Sequence, residues 1–198
     1  MTVLYSPSQL LAADDPPPAL FNAVCIACHG PAATGNVTLL SPQIAGQESW
    51  YIKRQLENYL DGRRGTDAEY KPGRQMALIS AVIDTPQKLD ALADYLSRLQ
   101  PEVKNKSVIG DLNRGQKLYA PCAVCHGSHA EGNEQLGGPR LRNLDDWYQI
   151  GQLQQFRTGN RGTAEGDIHG AQMRAAVQLL NDDADIRDVV AYITSLTD

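Results

Sequence analysis

This chain is one unit written twice, and that repeat limits its fold more than any other feature. An offset of 97 residues carries Cys25 onto Cys122, His29 onto His126 and Met76 onto Met173 without a gap. Of the 52 positions from Cys25 to Met76, 20 are identical to their counterparts. The identities include Gly35-Asn36 with Gly132-Asn133, Pro42 with Pro139, Trp50-Tyr51 with Trp147-Tyr148, and Arg64-Gly65-Thr66 with Arg161-Gly162-Thr163. Such density implies duplication of a whole folded unit, dividing the chain into residues 1–100 and 101–198. Pro101, Lys104, Asn105, Lys106 and Gly110 break the periodicity between the halves and read as a linker.

Each unit reads as helical, which makes the chain all-α. Short helices are predicted over Pro18 to Val24 and Asp111 to Tyr119, leading into the cysteine pairs. Longer ones are predicted over Glu48 to Asp61 and Asp145 to Thr158, where Tyr51, Leu56 and Tyr59 share a face. A last helix starts at Thr85 as N-cap with Pro86 in the first turn, and its counterpart starts near Asp182. The Gly-containing segments around Met76 and Met173 read as loops. No segment alternates well enough to be a strand.

Cys25-Ile26-Ala27-Cys28-His29 and Cys122-Ala123-Val124-Cys125-His126 match the pattern that attaches a c-type haem. Two cysteines three apart on a helical turn reach the two vinyl groups of one porphyrin. The adjacent histidine then lies under the iron. Zinc is the weaker reading, because four ligands are needed and one ion would have to join both units. A redox dithiol expects a βαβ context, which is absent from the pattern. A disulfide framework does not suit a chain this long with each pair so close. Two haems would also offset an aromatic content of only 6%, since small domains bury little of their surface.

Apart from Met1, the only methionines are Met76 and Met173, each 47 residues after its histidine and each preceded by a glutamine. A lone methionine is ordinarily core filler. Two at one repeat position point instead to the sixth iron ligand, a thioether that raises the potential. His129 and His169 lack histidine counterparts and read as surface or propionate-side residues, with His169 also a candidate to replace Met173 in one redox state. Trp50, Tyr51, Trp147 and Tyr148 read as core or haem-wall residues whose polar tips reach propionates. Arg64 and Arg161 read either as propionate partners or as solvated loop charges.

A net charge of −5 without a basic stripe argues against nucleic acid. No apolar run is long enough to span a membrane. Met1 to Pro18 lacks the basic start and apolar core of a signal peptide, so a removed leader or another export route is expected.

The pattern resembles the cytochrome c4 family of dihaem class I cytochromes, over about Pro18 to Leu196. The residues carrying the resemblance are Cys-x-x-Cys-His-Gly with its following Gly-Asn, Pro42-Gln43-Ile44-Ala45-Gly46-Gln47, Tyr51 with Gln55-Leu56, Gly62-Arg63-Arg64, and Met76. The resemblance implies two tandem class I cytochrome c domains related by a pseudo-twofold axis, with haem propionates facing across the interface. It implies a periplasmic electron carrier, loosely membrane-associated, serving a terminal oxidase or another reductase. It also implies that the carbonyls of Pro42 and Pro139 hold the imidazoles of His29 and His126. Two departures carry expectations. Gly46-Gln47 becomes Asn143-Leu144, so contacts around the second haem should differ. The family's first-helix glycine matches Gly115, near Tyr192, but unit one has Pro18 there, which leaves the packing on Tyr95 open.

The residues themselves point to electron relay: cysteines fix each porphyrin, and histidine with methionine leaves no open iron position. Redox proteins, including membrane complexes such as a quinol-oxidising complex, are the expected donors and acceptors. The rival is a dihaem enzyme of the thiosulfate dehydrogenase or peroxidase type, or an electron-transfer subunit of a larger oxidoreductase. The acidic balance suits partners with basic patches.

Overall fold

The computed structural model describes residues 18–104 and 106–196. The segment read for a leader lies almost wholly outside the described residues. Unit one runs through a π-helical turn, Phe21–Cys25, into α1 (Ile26–His29), then α2 (Ser49–Leu60), α3 (Lys71–Ser80) and α4 (Pro86–Arg98). Unit two repeats the order with α5 (Leu112–Tyr119), α6 (Ala123–His126), α7 (Asp146–Thr158), α8 (Ile168–Val177) and α9 (Asp183–Ser195). The described residues contain no named strand, only the isolated bridges Asn36 to Ser41 and Asn133 to Gly138.

The apolar stripe of α4 explains its place. Leu89, Leu92, Ala93 and Leu96 fall on one face, are all buried, and pack with Ile52 and Leu56 of α2. Burying each such leucine stabilises the fold by about 1.5–3 kcal/mol. Thr85 caps α4 as expected, its hydroxyl accepting from the Lys88 amide at 3.3 Å, and Asp182 caps α9 by accepting from the Asp185 amide at 2.9 Å. In unit two α5 crosses α9 at Gly115, where a Cβ would lie 2.1 Å from the Asp188 carbonyl oxygen and 2.8 Å from Tyr192 Cβ. Only glycine permits that approach.

Unit one solves the same crossing differently. Phe21 packs at a tilt against Tyr95 with centroids 5.3 Å apart, just as Tyr119 packs against Tyr192 at 5.6 Å. Yet Phe21 stands four residues before its cysteine and Tyr119 only three. The wider π turn absorbs the extra residue and brings Phe21, fully buried, into the aromatic slot.

The methionine segments are helices, not loops. Pro72 stands in the first turn of α3, and Asp167 caps α8 by accepting from the Gly170 amide at 2.9 Å. The glycines that suggested loops serve close packing. A Cβ on Gly65 would lie 2.5 Å from Gly73 O, and one on Gly162 would lie 2.2 Å from Gly170 O. The arginine loop thus lies against the methionine helix in both units.

The backbone at Asn143 nonetheless follows that of its counterpart. Its φ of 64° matches the 66° of Gly46, because asparagine tolerates the left-handed region. Glycine is required at 46 for space, since a Cβ would meet Pro101 Cδ at 2.7 Å. The difference lies in side chains: Gln47 Nε2 donates to Arg140 O at 3.3 Å, which Leu144 cannot mirror.

The linker is strapped down. Asp146, 3% exposed, accepts from the Ser107 amide at 2.6 Å and the Val108 amide at 2.9 Å. Gln43 accepts from the Glu102 amide at 2.9 Å and donates to Glu102 O at 3.0 Å.

Candidate functional site

Both Cys-x-x-Cys-His motifs face one apolar cavity of about 330 Å³. Cys25, Cys28, His29 and Met76 line it from unit one, and Cys122, Cys125, His126 and Met173 from unit two. The walls are apolar, with Ile52, Leu56, Leu92 and Leu96 on one side and Leu153, Phe156, Val189 and Ile193 on the other. None of the four cysteines is joined in a disulfide. Burial pushes the Cys25 and Cys122 thiols up from their usual pKa, the opposite of an activated dithiol. Among the described residues no three His, Cys, Asp or Glu side chains cluster as a metal site.

The histidines are oriented identically. His29 Nδ1 lies 2.8 Å from Pro42 O, and His126 Nδ1 lies 2.7 Å from Pro139 O. A carbonyl only accepts, so each Nδ1 carries the proton and each Nε2 is left as a lone-pair donor. His126 Nε2 faces Met173 Sδ at 3.5 Å. Burial holds both imidazoles below the usual histidine range, with the proline bonds working against it, so both rings are neutral at neutral pH. Neutral imidazole is the metal-binding form.

Between the units lies a cross-braced polar network. Gln55 Oε1 accepts from Arg64 Nη1 at 2.8 Å and from Arg161 Nη2 at 2.7 Å. Gln152 Oε1 accepts from Arg161 Nη1 at 2.6 Å and Arg64 Nη2 at 2.9 Å. Arg64 also donates to the Tyr148 hydroxyl at 2.9 Å, and Arg161 to Tyr51 at 3.4 Å. Each guanidinium lies over an aromatic ring of its own unit, Arg64 on Tyr59 at 4.6 Å and Arg161 on Phe156 at 4.3 Å. Both arginines are 8% exposed, which rules out solvated loop charges. Burial raises the pKa of Tyr148, but the charges of Arg64 and Arg161 outweigh it and bring the hydroxyl below its usual value.

These features test whether a haem suits the site. Apolar walls fit a porphyrin, and paired cysteines beside a fixed imidazole fit covalent attachment. Two buried cations, neither paired with a carboxylate among the described residues, fit the anionic propionates. The network of Gln55 and Gln152 was not legible as a site in sequence, although their identity across the repeat was the available signal. Trp50 and Trp147 do not line the cavity. Each instead sets its ring edge on the neighbouring tyrosine, with centroids 5.8 and 6.0 Å apart. His129 is exposed beside Ser128, whereas His169 lines the cavity.

A helical tandem in which each half sets Cys-x-x-Cys-His and a methionine around an apolar space defines a dihaem c-type cytochrome. Comparison with known proteins agrees. The Cytochrome c family profile matches residues 18–100 and 112–197. Cytochrome c4 of Pseudomonas aeruginosa is 33% identical over 183 residues, covering 88% of this chain and 84% of that one. The thiosulfate dehydrogenase electron acceptor of Thiomonas intermedia is 29% identical, covering 77% and 71%. The solved cytochrome c4 of Acidithiobacillus ferrooxidans superposes with a TM-score of 0.68 at 26% identity, covering 87% of this chain and 98% of that one. The chain belongs to the cytochrome c family, in its cytochrome c4 branch, and carries two covalently bound haem c groups.

Proposed function

We propose that this protein relays single electrons between redox partner proteins in the periplasm, each haem held by one half of the chain, residues 1–100 and 101–198. Cys25 and Cys28 attach one porphyrin, and Cys122 and Cys125 the other. His29 with Met76, and His126 with Met173, are the axial pairs. Each haem, when bound, supplies a one-electron iron couple.

The observation that carries the reading is the facing of imidazole and thioether. His126 Nε2 and Met173 Sδ lie 3.5 Å apart, and Met76 lines the cavity with His29. Both sides of each iron would thus be taken by the chain's own side chains, leaving none for a substrate. The carbonyls of Pro42 and Pro139 fix the orientation of the imidazoles. Arg64 and Arg161, with Tyr51 and Tyr148, would receive the propionates at the interface between the units. No helix of the described residues is long and apolar enough to cross a membrane.

The likeness to a protein named as a thiosulfate dehydrogenase electron acceptor supports a variant of this relay in which the donor is such an enzyme. Exposure of the reduced protein to carbon monoxide tests the relay reading. Little binding at either haem is expected. Rapid stoichiometric binding at one haem would refute it in favour of an enzyme with an open iron.

A further inference from the structure

The two units share the arginine and glutamine network at their interface, yet they differ at one pair of equivalent edges beside it. On the unit-two side, Arg54 of α2 reaches across and donates from Nη2 to Gly137 O at 2.8 Å. A Cβ on Gly137 would lie 2.4 Å from the His169 ring, so Arg54, Gly137 and His169 meet at one place. The equivalent positions on the unit-one side are Gly151, Leu40 and Pro72, none of them charged. Tyr70 occupies that edge instead, its hydroxyl 3.9 Å from where a Gly151 Cβ would stand. One edge therefore carries a guanidinium, with Asp167 near it, and the other carries neither.

Arg54 is placed to act on the second haem site. Gly137 lies two residues before Pro139, whose carbonyl oxygen is 2.7 Å from His126 Nδ1. His169 lies four residues before Met173 on α8. The guanidinium thus touches the backbone that orients the histidine and adjoins the helix that carries the methionine. It lies over Trp50 and Tyr51, at 4.9 and 5.4 Å, which holds it in one position. Its Nε is buried without a partner, leaving a donor for a further acceptor in the cavity that Arg54 lines. Asp167 and Glu48 lie near enough to act on the Arg54 charge, while Asp167 also accepts from the Gly170 amide at 2.9 Å and Glu48 from the Arg140 amide at 2.9 Å.

We propose that Arg54 is a positioning residue supplied by unit one that raises the reduction potential of the haem held by unit two. This rests on the axial-pair assignment above. A fixed positive charge in a poorly solvated site favours the reduced iron, which carries one positive charge fewer. The haem of unit one has Gly151 at the equivalent place and receives no such charge. The gap between the two potentials is accordingly a property of the assembled chain, not of either unit alone.

The test is a spectroelectrochemical titration of holoprotein with Arg54→Gln and Arg54→Lys. Each haem is identified beforehand by proton NMR of its ligated methionine methyl group. Those methyl signals in the unaltered protein report the axial assignment independently, and their absence would bring down both readings. Arg54→Gln should lower the midpoint of the unit-two haem and leave the unit-one haem in place. Arg54→Lys, which keeps the charge, should retain most of the original gap. An equal shift of both haems, a shift confined to unit one, no shift, or a loss in Arg54→Lys as large as in Arg54→Gln would overturn the proposal. Destabilisation of the interface alone would lower the unfolding midpoint without this selective change.

Discussion

Gly62 and Gly65 separate backbone strain from close packing at the methionine helix. Both lie in the left-handed region, with φ of 68° and 81°. A Cβ on Gly62 would meet nothing within 4 Å. A Cβ on Gly65 would lie 2.5 Å from Gly73 O and 2.9 Å from Ala77 Cβ, both on α3. An alanine in left-handed conformation costs about 1–2 kcal/mol, offset by about 0.4–1 kcal/mol of reduced unfolded-chain entropy. Gly62→Ala should therefore lose only about 0–1.6 kcal/mol. Gly65→Ala adds an overpacking penalty of about 1–3 kcal/mol, for a total of about 1–4.6 kcal/mol. Because α3 bears Met76, Gly65→Ala should also weaken methionine ligation in unit one. Denaturant unfolding of holoprotein, followed by helical circular dichroism and by the visible spectrum, reads both effects. Equal losses in the two variants, or an undisturbed unit-one methionine signal in Gly65→Ala, would refute the argument.

Three further outcomes follow from the hydrogen bonds. Asp146→Ala removes the acceptor of the Ser107 and Val108 amides and should cost about 2–4 kcal/mol, with faster amide exchange at the linker. A linker whose exchange rates do not change would contradict it. Tyr119→Phe copies the aromatic that unit one uses and loses only the 2.7 Å bond to Gly127 O, so about 1 kcal/mol is expected. Asp185 is held below the usual carboxylate value of 3.8, mainly by the Asn181 amide, with Arg114 adding to the effect. Its stabilisation is present above that pH and is lost as pH falls through the depressed value, so Asp185→Asn should flatten the acid limb of a stability–pH profile.

Much of the site could be read from residue order because covalent chemistry dictates local spacing. Two thioethers and an adjacent imidazole need Cys25, Cys28 and His29 in five consecutive positions, and the 97-residue offset marks the second set. The cap at Thr85 was equally legible, since a capping side chain serves amides two or three residues on. The helices bearing Met76 and Met173 were misread, because Gly73 and Gly170 look like loop residues until the neighbouring Gly65 and Gly162 are seen pressed against them.

Sequence alone determined what is set by neighbours in the chain: the duplicated unit, the attachment motifs, the cap at Thr85 and the apolar stripes. Tertiary structure decided what depends on groups about a hundred residues apart. It buried Arg64 and Arg161 between Gln55 and Gln152, and it carried Arg54 onto Gly137 while leaving Gly151 without a counterpart charge. A charge reads alike in sequence whether it ends in water or in an interface; only the packing of one unit on the other fixes the dielectric around it and the groups it faces.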